Sequence, residues 1–151
     1  MKKFIFIILL LTLCFLSSIL GENVEPVLFF YSMTCSQCKD MKSFLESLLD
    51  KNEDILIELH DVDEEIGLWE EKCNIYNIPA WGVPRIFVGD KVFAGWFLYQ
   101  GDLIYVDQYY GNIGYKNQIL KALEFYFDST LNIPEMKETK NNDNLQEDCG
   151  C

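Results

Sequence analysis

Residues 27–41 read VLFFYSMTCSQCKDM. Val27 to Tyr31 form a continuous apolar run, the pattern of a strand covered on both faces. Beyond Cys38, the apolar residues Met41, Phe44, Leu45, Leu48 and Leu49 recur at helical spacing, while Lys39, Asp40, Lys42 and Glu46 face away. That spacing predicts an amphipathic helix ending near Lys51-Asn52. Cys35 and Cys38 therefore fall where a buried strand hands over to a helix.

Working outward, DILIELH (54–60) reads as a second strand, followed by the acidic DVDEE. Ile66, Trp69, Cys73 and Tyr76 then repeat at helical spacing, closed by Asn77 and Pro79. RIFVGDKVFAGW (85–96) reads as a hairpin about Gly89-Asp90, so the sheet is expected to finish antiparallel. The aromatic-rich stretch 96–116 is expected to be an insertion that could hold one further strand. NQILKALEFYF (117–127) is a last amphipathic helix with Ile119, Leu120, Leu123 and Phe127 on one face. The order strand-helix-strand-helix-strand-strand-helix predicts an α/β fold, a sheet sandwiched by helices.

Of 151 residues, 50% are hydrophobic, enough for one compact domain, placed at residues 22–133. Residues 1–21 carry Lys2 and Lys3, an apolar run from Phe4 to Leu16, then small and polar residues. This is the layout of a signal peptide, with an uncleaved anchor over residues 4–20 as the alternative. Cys14 belongs to that apolar run. The chain is thus expected to be exported (secreted, periplasmic or lumenal), touching a membrane only through an uncleaved N-terminal segment. The net charge is −12, from 24 acidic and 12 basic residues. Such a field disfavours phosphate backbones, so nucleic acid is not an expected partner. Residues 134–151 read as a polar tail, too poor in apolar residues to pack a core and ending in CGC.

Cys35 at the helix tip lies beside unpaired backbone N–H groups and the positive end of the helix dipole, which favours a thiolate. Cys38, one turn on, shares its face closely enough for a local disulfide and continues the buried stripe. Cys35 is the expected attacking sulfur and Cys38 the resolving thiol. A zinc site would need about four ligands, yet there is no second CxxC and only one histidine, His60, so no metal is expected. Cys73 reads as a buried packing residue, and His60 as a hydrogen-bonded strand-end residue. Cys149 and Cys151 are candidate accessory thiols, tethered within reach of Cys35, or else a terminus without a role.

VLFFYSMTCSQCK, followed after one strand and one helix by WGVPRIFVGDKVFAG, resembles the thioredoxin superfamily. The resemblance covers about Val27 to Gly95 plus the last helix. It implies a thioredoxin-like three-layer sandwich of minimal, glutaredoxin-like size. It also implies a cis bond at Pro84 beside the cysteine pair, with Val83 and Pro84 as substrate-binding residues, and thiol-disulfide oxidoreductase activity. Thr34 stands where thioredoxins carry tryptophan, and Phe29 where they carry a buried aspartate. The expected partners are cysteine-containing protein substrates and a redox partner protein. No cofactor is expected, because the two sulfurs carry the electrons. Two other readings stay open: a non-catalytic binding module stapled by the CxxC, and a metal-handling protein using the CxxC with the terminal CxC.

Overall fold

The structure, a computed structural model, describes residues 25–134. The expected signal or anchor over residues 1–21, Cys14, and the tail thiols Cys149 and Cys151 lie outside the described residues. No helix among the described residues is long and apolar enough to cross a membrane.

The chain folds as mixed α/β. In order it forms β1 (Val27–Tyr31), α1 (Ser36–Leu49), β2 (Ile57–Asp61), α2 (Ile66–Ile75), β3 (Arg85–Val88) and β4 (Lys91–Phe97). Then come β5 (Tyr105–Val106), a 3-10 turn (Asp107–Tyr109), β6 (Gly111–Tyr115) and α3 (Lys116–Phe127). The six strands make one sheet in the order β2-β1-β3-β4-β6-β5. β1 runs parallel to β2 and antiparallel to β3.

The apolar run of β1 is central because alternate side chains feed two cores. Val27 and Phe29 pack with Met41, Phe44, Leu45 and Leu48 of α1 and with Ile119 and Leu123 of α3. Leu28 and Phe30 pack on the opposite face with Trp69 and Cys73 of α2 and with Phe87. Phe29 and Phe30 are both fully buried. The sheet therefore has α1 and α3 on one face and α2 on the other.

Three details differ from the reading of the sequence. Helix α1 stops at Leu49, and Lys51 and Asn52 belong to the turn after it, where the Asn52 amide N–H donates to the Leu49 carbonyl at 3.2 Å. Ile66 opens α2 but is 54% exposed, so that helix buries only Trp69 and Cys73. The sheet does not finish at the β3–β4 hairpin. The aromatic stretch adds two strands, β6 parallel to β4 and β5 antiparallel to β6.

Glycine makes that extension possible. A Cβ at Gly114 would lie 2.0 Å from the Gly95 carbonyl oxygen, so only a hydrogen allows β6 to reach β4 there. Gly95 itself has φ +76°, at an irregularity in the β4–β6 register between Ala94 and Phe97. Phe97, Tyr99 and Tyr115 pack against one another as tilted rings with centroids 5.1–5.8 Å apart. Asn117 clamps Gly101, accepting from its N–H at 3.1 Å and donating to its carbonyl at 2.9 Å.

Gly114→Ala should therefore cost about 2–3 kcal/mol, the range for overpacking a fixed backbone contact. Gly67→Ala in α2, with nothing within 4 Å of the added Cβ, should gain about 0.5–1 kcal/mol. Urea unfolding of the two variants measures both.

Candidate functional site

The turn Ser32–Thr34 carries the chain from the C-terminal end of β1 into α1, and Cys35 is the N-cap of that helix. Its backbone is extended (φ −86°, ψ 121°), and its Sγ accepts a hydrogen bond from the Cys38 amide N–H at 3.3 Å. A sulfur here does the work that Ser or Asp oxygen does at most N-caps. A thiolate accepts this bond more strongly than a thiol. Its thiol hydrogen donates to the Val83 carbonyl oxygen at 3.7 Å.

Cys35 is 6% exposed and Cys38 fully buried. The helix tip is thus more covered than its sequence position implies, because the Val83–Pro84 loop comes within hydrogen-bonding distance of the sulfur. The two sulfurs remain inequivalent. Cys35 lines a groove of about 340 Å³ and Cys38 does not.

Four segments meet at that groove: Thr34 to Gln37, Trp81 to Arg85, part of β4, and Gln108-Tyr109 of the 3-10 turn. Val83–Pro84 is a cis peptide bond, and the Pro84 carbonyl accepts from the Gly95 N–H at 3.0 Å. The structure thus brings Cys35, Val83 and Pro84 together. Cys38 lies beneath them. A larger hollow of about 500 Å³, lined by Glu25, Lys72, Tyr76 and Tyr126 among others, contains no cysteine.

Three features of the site were not read from the sequence. Ser32 is buried, and its Oγ donates to Asp63 Oδ2 at 2.9 Å and pairs with Thr34 Oγ1 at 2.9 Å. Its carbonyl accepts from the Cys35 N–H at 3.2 Å, so Asp63, from the loop after β2, fixes the turn that presents the sulfur. The second feature is Arg85, read only as the first residue of a strand. It is 1% exposed, its Nη2 donates to the Tyr109 carbonyl at 2.9 Å, and its Nε and Nη1 have no partner. The Trp69 and Trp81 rings lie 6.0 and 5.8 Å from its guanidinium carbon. Burial holds its pKa below the ordinary arginine range. The third is the Gln108-Tyr109 turn. All three depend on contacts across 20 residues or more, for which local sequence carries no signal.

The other residues singled out lie outside the groove lining. Cys73 packs in the core beneath α2. His60 Nδ1 is 2.9 Å from Glu65 Oε2, its Nε2 is 3.3 Å from Glu58 Oε2, and its ring stacks on Phe30. Among the described residues, no group of three or more His, Cys, Asp and Glu is placed to hold a metal.

No protein-family model, curated protein or solved structure matches the chain.

Burial pushes the Cys73 thiol up to about 11, and the charge of Arg85 offsets this only in part. At pH 8 its thiolate fraction is then about a hundredfold lower than that of an unperturbed thiol with pKa about 9. Peptide-resolved alkylation at pH 8 should leave Cys73 unlabelled in the native protein and label it once urea unfolds the chain.

Proposed function

We propose that the chain is an exported thiol-disulfide oxidoreductase of thioredoxin-like fold that acts on cysteines of other proteins. The observation that carries this reading is the placement of Cys35. Its sulfur caps α1, accepts the Cys38 N–H, and lines a groove beside cis Val83–Pro84, with Cys38 hidden one turn below. The fold supports it too: β1 and β2 are parallel, β3 and β4 form the antiparallel hairpin, and helices cover both faces. Export rests on the sequence pattern of residues 1–21.

In the reducing direction, the Cys35 thiolate attacks one sulfur of a substrate disulfide. This forms a mixed disulfide and releases the other substrate sulfur as a thiolate, which takes up a proton. Cys38 then gives up its proton and attacks Cys35 Sγ. The substrate leaves as a dithiol, and Cys35–Cys38 closes as a disulfide. Two electrons and two protons have passed to the substrate. A dithiol protein partner restores the pair by the same exchange, and substrate oxidation runs these steps backwards.

Within the groove, the Val83 carbonyl already accepts from Cys35, and Pro84 contributes no N–H donor. The main chain of Val83 is thus placed to hold an extended substrate segment alongside the sulfur. Position 29, the buried aspartate on the resemblance, is a core phenylalanine stacked on Tyr31. The resolving step therefore takes no proton acceptor from that position of β1.

The Cys38→Ser variant should accumulate reductant-sensitive adducts with cysteine-containing proteins, because the mixed disulfide can no longer be resolved. Cys35→Ser should accumulate few. Non-reducing electrophoresis reads both, and equal trapping by the two variants would rule out the assigned roles.

A further inference from the structure

Among the described residues, Arg85 is the one charged residue lining the groove of Cys35. A guanidinium that is 1% exposed with two nitrogens unpartnered is costly unless an anion or polar group completes it. The chain carries 24 carboxylates, yet no ion pair to Arg85 is present among the described residues. The groups that act on its charge are Cys73 and Tyr105, and neither is a carboxylate. A fork of N–H donors with no counter-charge suits a carboxylate, which accepts two parallel hydrogen bonds.

The chain contains a cysteine with carboxylates beside it: Glu147-Asp148-Cys149, followed by Gly150-Cys151. The described part of the chain ends close to the far end of α1. Asn132 N–H donates to Asn52 Oδ1 at 2.8 Å, and Asn52 Nδ2 donates to the Asn132 carbonyl at 3.2 Å. Helix α1 has 14 residues, so that end is about 21 Å from the tip where Cys35 sits. From Pro134 to Cys149 there are 15 residues, which extended would reach about 50 Å. The tail is therefore more than long enough to return its cysteines to the groove.

We propose that the Glu147-Asp148-Cys149 segment of the chain's own tail occupies the groove. One of its carboxylates binds the fork of Arg85 Nε and Nη2, taking the place of the Tyr109 carbonyl on Nη2, and Cys149 meets Cys35. The carboxylate enters as the Asp107–Tyr109 turn shifts aside, exchanging the bond to the Tyr109 carbonyl for a charged one. This rests on the redox reading above and adds a resident partner for the same pair. When Cys35–Cys38 is a disulfide, the Cys149 thiolate attacks Cys35 Sγ. A Cys35–Cys149 bond forms, and Cys38 leaves as a thiolate that takes up a proton. Cys151 gives up its proton and attacks Cys149, closing Cys149–Cys151 and releasing Cys35. Two electrons move from the tail to the core pair, and no further reactant is consumed.

The test uses the full chain after signal removal, carrying Cys38→Ser and Cys151→Ser, oxidised with a small disulfide at low micromolar protein. Peptide mapping should recover a Cys35–Cys149 linkage within monomers. Changing Glu147→Gln and Asp148→Asn together should slow its formation about tenfold, as should Arg85→Gln. The tail changes fall outside the described residues and keep the test valid if Arg85→Gln does not fold. High salt should also slow the reaction. Linkage at the same rate with a neutral tail overturns the proposal, as do a disulfide-linked dimer in its place and the absence of any Cys35–Cys149 peptide. A Cys35–Cys149 linkage that depends on these charges, in a protein whose Cys38→Ser variant traps no substrates, sustains the docking and removes only the protein-substrate reading. Substrate trapping with a charge-independent tail does the reverse.

Discussion

One hydrogen bond organises the site: the Cys38 amide N–H to Cys35 Sγ, across the first turn of α1. It satisfies a backbone donor that the start of the helix would otherwise leave unpaired, and it holds the sulfur at the N-terminal end of the helix, the positive end of the aligned amide dipoles. It can exist only because β1 delivers the chain to that point. The strand is buried on both faces and pinned on both edges, parallel to β2 and antiparallel to β3. Ser32 then fixes the turn through Asp63. The cap, the strand and the turn together leave Cys35 at the groove and Cys38 in the core.

The second half of the site arrives from far along the chain. β3 pairs with β1 directly, which carries Val83 and Pro84, just ahead of β3, up to the sulfur. The same pairing places Arg85 on the α2 face, between two tryptophan rings. Among the described residues that guanidinium has no carboxylate partner, which is unusual in a strongly acidic chain, since Coulomb attraction would readily supply one. The groove therefore brings together the Cys35 sulfur, the main chain of Val83 and Pro84, and the Arg85 side chain.

Much of this was legible in the sequence where short-range pattern governs. The apolar run of β1, the Met41–Leu48 stripe of α1 and the Gly89-Asp90 turn each declare themselves within a few residues. The inequivalence of Cys35 and Cys38 follows from the same stripe. The strands β5 and β6 were not legible. Their pairing with β4 depends on Gly114 meeting Gly95, two glycines nineteen residues apart that individually read as turns or breaks. The Ser32–Asp63 bond spans 31 residues, and the Arg85–Tyr109 bond spans 24. Nothing in the sequence marked Arg85 as buried, because its burial is created by α2 and by the 3-10 turn, neither of which is adjacent to it in sequence.

The account as a whole stands on Cys35 being the reactive sulfur of the pair. The direct measurement is the rate of iodoacetamide labelling of each cysteine in the reduced native protein at pH 7, resolved by peptide mass spectrometry. Cys35 should label at least about tenfold faster than Cys38, because the thiolate is the reacting species and only this sulfur reaches the groove. Equal rates, or faster labelling of Cys38, would contradict the account.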